Sequence, residues 1–276
     1  MPLGPSEERE IIPDPVVLDQ PAQPPLDRRI DPWSFRDLLF FFAFAFVALL
    51  IANFAALAIY AALRPLVGWP LTPGLMAQNT FFLLAAQLLF YVFLLGYIYL
   101  LVVFHYRLRF WQGLKWRRLD RRGVANYILL GILVTVAIQL VPNVLPDKSD
   151  FPLQRLFSSP ASSYAIAAFA VLVAPFMEEI IFRGVLFSAF ESRIGLRSAV
   201  VITALLFAAL HVPEYWGAWD HVFLIFLVGL IFSLARGLTG SLAPSFVLHA
   251  TYNACLMIGL FFASAHFRMI QNALLR

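Results

Sequence analysis

The sequence predicts an all-α fold: a polytopic transmembrane helical bundle of about seven (six to eight) spans, preceded by a disordered, Pro-rich, acidic N-terminal tail. Three observations predict it. Of 276 residues, 61% are hydrophobic and 13% charged, with a mean hydropathy of +0.81, where a soluble domain has about half and about a quarter. A soluble chain of this size must still cover itself with polar groups, so such an apolar excess calls for lipid as its solvent. The apolar residues also fall in runs close to the ~20 residues a spanning helix needs, and the cations gather between those runs.

Residues 1–32 hold eight prolines and the acids Glu7, Glu8, Glu10, Asp14 and Asp19. Such a segment buries too little surface to offset its ordering entropy, so it reads as a disordered cytoplasmic tail. It lacks the basic start and short apolar core of a signal peptide and is too acidic for a transit peptide, which leaves the first membrane helix as the insertion signal. From Trp33 onward apolar runs are expected as helices at 37–63, 78–104, 124–144, 163–190, 198–212, 220–236 and 241–265. Residues 33–144 form the N-terminal membrane part. The run at 163–190 is long enough to be tilted or broken, and that at 198–212 is short for a full span.

Charge orients the bundle. The loop 105–123 contains Arg107, Arg109, Lys115, Arg117, Arg118, Arg121 and Arg122 against the single acid Asp120, which places it in the cytoplasm. Two helices precede it, so the N-terminus is cytoplasmic and, after seven spans, the C-terminus is outside. The loop 191–197 then falls inside, and so does Arg236, read as a positive-inside anchor. The loop 145–162, with Asp147, Lys148, Asp150 and Arg155, falls outside. Trp33, Trp111 and Trp116 lie near helix ends, where an aromatic belt would hold them. The net charge of +4 therefore reports basic loops and gives no reason to expect a nucleic-acid partner. The loop 105–122 is instead a candidate contact for anionic lipid. One cysteine, Cys255, excludes an intrachain disulfide and a cysteine-based metal site, and reads as a small buried hydrophobe. With neither disulfides nor a targeting peptide, a bacterial plasma (inner) membrane is the expected location.

Ionisable residues are nearly absent from the first three spans, whereas the later ones contain Glu178, Glu179, Arg183, His211, His249 and Asn253. Ionisable groups at membrane depth are costly and mark function unless they are paired structurally. Adjacent glutamates on a helix point about 100° apart, so Glu178 and Glu179 cannot both face one cavity. Glu179 and Arg183, four apart, share a face and can form an ion pair. That leaves Glu178 free for chemistry. Phe207 and His211, and His249 and Asn253, repeat the four-residue spacing. At 1.5 Å per residue Glu178, His211, His249 and Asn253 reach a common layer about 12–20 Å from the inner side. A buried carboxylate can act as general base, a histidine can relay the proton of a water, and a second histidine with an amide can stabilise an oxyanion. Together they describe amide hydrolysis without a covalent intermediate. Pro175, just before the glutamate pair, is expected to kink the helix and turn carbonyls toward a cavity. His105 and His266 read as interfacial, and Glu214 and His221 as solvated in an outer loop.

Glu178-Glu179-x-x-x-Arg183, Phe207-x-x-x-His211 and His249-x-x-x-Asn253, in that order on separate apolar helices, resemble the three motifs of the CAAX-processing and bacteriocin-processing (CPBP) family. These are the intramembrane glutamic endopeptidases, also called the Abi or type II CAAX prenyl endopeptidase-like family. The resemblance spans roughly 160–265, and residues 1–123 carry no signature of it. It implies a catalytic membrane domain over 160–265 in which Glu178 and His211 activate water and His249 and Asn253 form the oxyanion site. Glu179 and Arg183 would support the local structure. It also implies no cofactor or catalytic metal, and a membrane-associated protein or peptide substrate, with prenylated CAAX-like proteins as one class.

Three rival readings stand beside it. A metal-dependent membrane protease could use Glu178, His211 and His249 as ligands, although no His-Glu-x-x-His occurs. A non-proteolytic immunity or scaffold protein of the same fold would have little reason to keep two glutamates and two histidines in lipid. A transporter could use the same groups as a proton relay, but no inverted repeat is evident.

Overall fold

The computed structural model describes residues 33–68, 79–140 and 152–274; the expected disordered tail and residues 141–151 of the outer loop lie outside them. The described residues are helical with short connections. Helix α1 is Phe35–Val67 and α2 is Thr80–Leu100, continued by a π turn, Leu101–His105. A short helix α3, Phe110–Gly113, sits in the basic loop, and α4 is Arg121–Leu140. A 3-10 turn, Pro152–Phe157, leads into α5, residues 160–194, followed by α6, residues 196–211. Helices α7, Trp219–Thr239, and α8, Leu242–Ala263, complete the bundle, and α9, Arg268–Leu274, follows.

Among the described residues six stretches are long and apolar enough to cross a membrane, one of them the 52 residues Pro160–His211. That stretch folds back on itself. Gly195 has φ 79° and ψ 168°, outside the helical region and in one that favours glycine. Phe182 and Phe207 lie on opposite sides of it with ring centroids 5.1 Å apart, although on one straight helix they would be separated by about 37 Å. So α5 and α6 form a hairpin, and the runs expected at 163–190 and 198–212 are two separate limbs. This is an integral membrane protein whose helices pair α1 with α2, α4 with α8, and α6 with α7.

Local chemistry sets the helix ends. Ser34 caps α1 in a reciprocal box: its hydroxyl accepts from Asp37 N, and the Asp37 carboxylate accepts from Ser34 N at 2.6 Å. Asn79 caps α2 by accepting from Phe82 N at 3.0 Å. The basic loop docks under the α7–α8 turn: Arg117 N donates to the Ser241 hydroxyl at 3.1 Å, and Leu242 N donates to the Lys115 carbonyl at 3.1 Å. Trp111 is exposed, as a belt residue would be, but Trp33 is only 1% exposed. It packs edge-on to Tyr106, and its carbonyl accepts from Arg193 at 2.6 Å, so it seals the start of α1 and does not face a headgroup layer.

The main core joins Leu94 and Ile98 of α2, Ile180, Phe182 and Val185 of α5, Phe207 of α6 and Leu242 of α8. Gly229 allows α7 to approach α6: a Cβ there would lie 3.2 Å from Phe207 and 3.3 Å from the Ala204 backbone. That close approach brings the Gly229 carbonyl within reach of Arg183, the first element of the site.

Candidate active site

The two glutamates diverge as helix geometry requires. Glu179 and Arg183 are fully buried, with an Nη1–Oε1 distance of 2.9 Å. The guanidinium also donates to the Gly229 carbonyl at 3.0 Å and lies 4.6 Å from the Phe207 ring centroid. A buried ion pair depends on further hydrogen bonds to its two partners, and α7 and α8 supply one to each. His249 of α8 brings Nδ1 to 2.9 Å from Glu179 Oε1, where it donates to the carboxylate. Its ring stacks on Phe232 at 4.6 Å and meets Phe207 edge-on at 5.7 Å. Arg236 lies one layer further from the cavity. It is buried, with Nε donating to the Arg183 carbonyl at 3.2 Å and Nη2 to the Ser188 hydroxyl at 3.0 Å. The positive-inside anchor expected there is therefore an internal brace, because α7 runs on to Thr239 and carries Arg236 inside the packed helices.

Glu178 points the other way, into a cavity of about 770 Å³ that His211, His249 and Asn253 also line. Its Oε2 lies 3.7 Å from His249 Nε2, and its Oε1 accepts from the Tyr91 hydroxyl at 3.5 Å. The Glu178 side chain is 16% exposed, enough for water to reach it. His211 Nδ1 lies 2.8 Å from the Phe207 carbonyl. A carbonyl only accepts, so Nδ1 carries the proton and the neutral ring leaves Nε2 as the lone-pair nitrogen.

Asn253 has a second task. Helix α5 is interrupted by π turns at Phe169–Val173 and Ile180–Leu186, on either side of Ala174–Glu179. In the first, Ala174 N donates five residues back to the Phe169 carbonyl. The next donor in that register would be residue 175, a proline with no N–H. The Ala170 carbonyl it would have served accepts instead from Asn253 Nδ2 at 2.8 Å. Pro175 thus opens a carbonyl, as expected, and Asn253 closes it. One amide hydrogen of Asn253 is committed, and one hydrogen and the amide oxygen remain.

Several cavity residues were not anticipated as such. Tyr91 comes from α2, in the part of the chain without motifs, and stacks on Phe169 at 6.0 Å. Gln87, one helical turn before it, lines the cavity too. Glu214, expected to be solvated, is exposed on the cavity wall. Its backbone is fixed on both sides: Glu214 N donates to the His211 carbonyl at 3.1 Å, and its own carbonyl accepts from Leu153 N at 3.1 Å. Its surface opens onto the cavity, but the protein packed around the carboxyl costs the charged form hydration and pushes it up from the ordinary value; His211 pulls it down, and Glu178 adds to the rise. His221, also expected to be solvated, lines the cavity with its ring stacked on Tyr215. Among the described residues no three His, Cys, Asp or Glu side chains converge closely enough to ligate a metal ion.

Residues 160–255 match the family model described as Type II CAAX prenyl endopeptidase Rce1-like. The match covers all three motifs and bears out the resemblance to the CPBP family over that segment. No curated protein and no solved structure shows a significant match to the chain.

Proposed function

We propose that residues 160–265 are the catalytic unit of an intramembrane, glutamate-dependent endopeptidase that hydrolyses a peptide bond of a membrane-associated protein or peptide. The family match supports a membrane protease of CAAX endopeptidase type. The observation that carries the finer reading is that Glu178, His211, His249 and Asn253, from three different helices, line one cavity while Glu179 and Arg183 are sealed behind it.

Glu178 and His211 Nε2 take a proton from a cavity water as its oxygen attacks the scissile carbonyl carbon. The carbonyl oxygen becomes an oxyanion. The free amide hydrogen of Asn253 donates to it, and so does His249 Nε2 when the ring carries a proton on both nitrogens, Nδ1 being committed to Glu179. Collapse breaks the C–N bond, and the proton held at Glu178 or His211 passes to the leaving amine. The predominantly apolar walls suit a lipid-embedded segment, with prenylated CAAX-like tails one candidate class. The charge distribution supports a cytoplasmic N-terminus, with the exposed arginines of 107–122 against anionic headgroups, and the lone cysteine suits a bacterial plasma membrane.

The test compares the termini of membrane proteins in cells carrying wild type and Glu178→Gln. Wild-type cells should contain cleaved products that are missing in the variant, and cleavage should survive a chelator. Undiminished processing by Glu178→Gln would remove the mechanism. Termini identical to those of cells lacking the protein altogether would favour the non-proteolytic scaffold.

A further inference from the structure

Resting on the proteolytic reading above, we infer that substrate enters from the extracytoplasmic side of the membrane, so that the scissile segment lies in the outer half of the bilayer. Two independent features of the molecule meet in this inference: where the cavity stops, and where the cations are.

The cavity runs from Tyr91, Glu178 and His249 to the Pro152–Phe157 turn and residues 213–215, and no residue between 92 and 137, 179 and 206, or 233 and 248 lines it. Its floor is the Phe207–Phe232–His249 cluster, and behind that floor the Glu179–Arg183 pair and Arg236 are fully buried. Water and polypeptide therefore have no path to Glu178 from the end that holds the Gly195 and Gly240 turns. The rim at the opposite end includes exposed Pro152, Arg155 and Glu214, and sideways, exposed Leu49 and Asn53 of α1 and Gln139 of α4.

The sealed end is the basic one. Seven Lys and Arg lie between Arg107 and Arg122, Arg193 and Arg197 flank the Gly195 turn, and Arg36 lies in the first turn of α1; the acids there are Asp37, Asp120 and Glu191. At the open end the described cations are Arg64, Arg155 and Arg268. An excess of Lys and Arg in short loops marks the cytoplasmic side, so the closed floor faces the cytoplasm and the rim faces out. A substrate reaching this rim is a membrane-anchored polypeptide with its cleavable stretch exposed to the outer leaflet. The tail of a cytoplasmic protein, a prenylated one included, would meet only the basic, closed face, so this route narrows the candidate substrates to segments exposed on the outer side.

The experiment uses the full chain with Cys255→Ala and one new cysteine, either Arg155→Cys at the rim or Arg118→Cys in the basic loop. A membrane-impermeant maleimide applied to intact expressing cells should label the Arg155→Cys protein, and should label the Arg118→Cys protein only after permeabilisation. The reverse pattern, or equal labelling of both in intact cells, overturns the inference. The same labelling with Glu178→Gln added reads orientation whether or not any peptide bond is cut. Outward orientation with no cleaved termini would therefore sink the protease alone. Cleavage sites that map to cytoplasmic segments would sink the entry route alone.

Discussion

Helix α1 turns Phe35, Phe40, Phe46 and Phe54 outward, each more than half exposed, while α5 buries every residue from Met177 to Ala189 except Glu178. The contrast follows from the solvent. In lipid an exposed phenylalanine costs nothing, so α1 needs little beyond apolar length and a cap. A buried arginine or glutamate must look for its partners inside the protein, and the helices around α5 supply most of those it has: Gly229 and Arg236 from α7, His249 and Asn253 from α8. Polar groups in the second half are therefore expensive, which is why they report function more reliably than anything in the first.

The largest effect expected is at Glu178. Glu178→Gln should lower cleavage by about 10²–10⁴-fold while the protein inserts and elutes as wild type does. That result would separate a group facing the cavity from its sequence neighbour, whose role is to hold helices together. Arg183→Ala should cost about 3–5 kcal/mol of stability by stranding the fully buried Glu179, read as a lowered unfolding midpoint in detergent. Phe46→Ala, on the lipid face of α1 and 64% exposed, should change it by less than about 0.5 kcal/mol. Equal losses at the two positions would break the comparison. Glu179→Gln should reduce cleavage as well as stability, because His249 Nδ1 then loses its carboxylate acceptor.

The sequence was most informative where one helix supplies both partners. The divergence of Glu178 from Glu179, and the Glu179–Arg183 pair four residues apart, follow from 3.6 residues per turn and are found so. The seven apolar runs and the turn between 190 and 198 were legible for the same reason, since length and hydropathy are local properties. Contacts between helices were not legible. Arg236 near a helix end reads as an anchor until the packing places the Arg183 carbonyl 3.2 Å from it. Pro175 announces an orphaned carbonyl, but nothing local names Asn253 as its partner. Glu214 sits three residues past His211 in a connecting turn, and only the fold brings it to the cavity wall.

Tyr91 tests how sharply the two halves divide. It belongs to the half without motifs, yet its hydroxyl donates to Glu178 Oε1. Gln87 and Tyr91, four apart in an aliphatic run, were the signal available in the sequence. Tyr91→Phe removes the hydroxyl that meets Glu178 and Gln87 and keeps the ring on Phe169. Cleavage should fall by about fivefold, equivalent to about 1 kcal/mol, with no change in unfolding midpoint. A loss as large as that at Glu178 would make α2 a full partner in the chemistry, and no loss at all would confine the chemistry to residues 160–265.

The smallest effect is at Glu214 and depends on pH. Its carboxyl is pushed up first by burial, with His211 opposing and Glu178 assisting the rise. A carboxyl raised in the folded state favours folding while it is protonated, and that contribution is lost as the pH climbs through its folded value. Glu214→Gln fixes the neutral form. Wild type and variant should unfold together in acid, and the variant should become the more stable of the two as the pH rises. Unfolding midpoints across a pH series read this directly. A constant offset at every pH would mean that Glu214 contributes through packing and not through charge. If wild type instead became the more stable of the two as the pH rises, His211, not burial and Glu178, would set the state of this carboxyl, and the rim would then present a carboxylate to substrate throughout the working range.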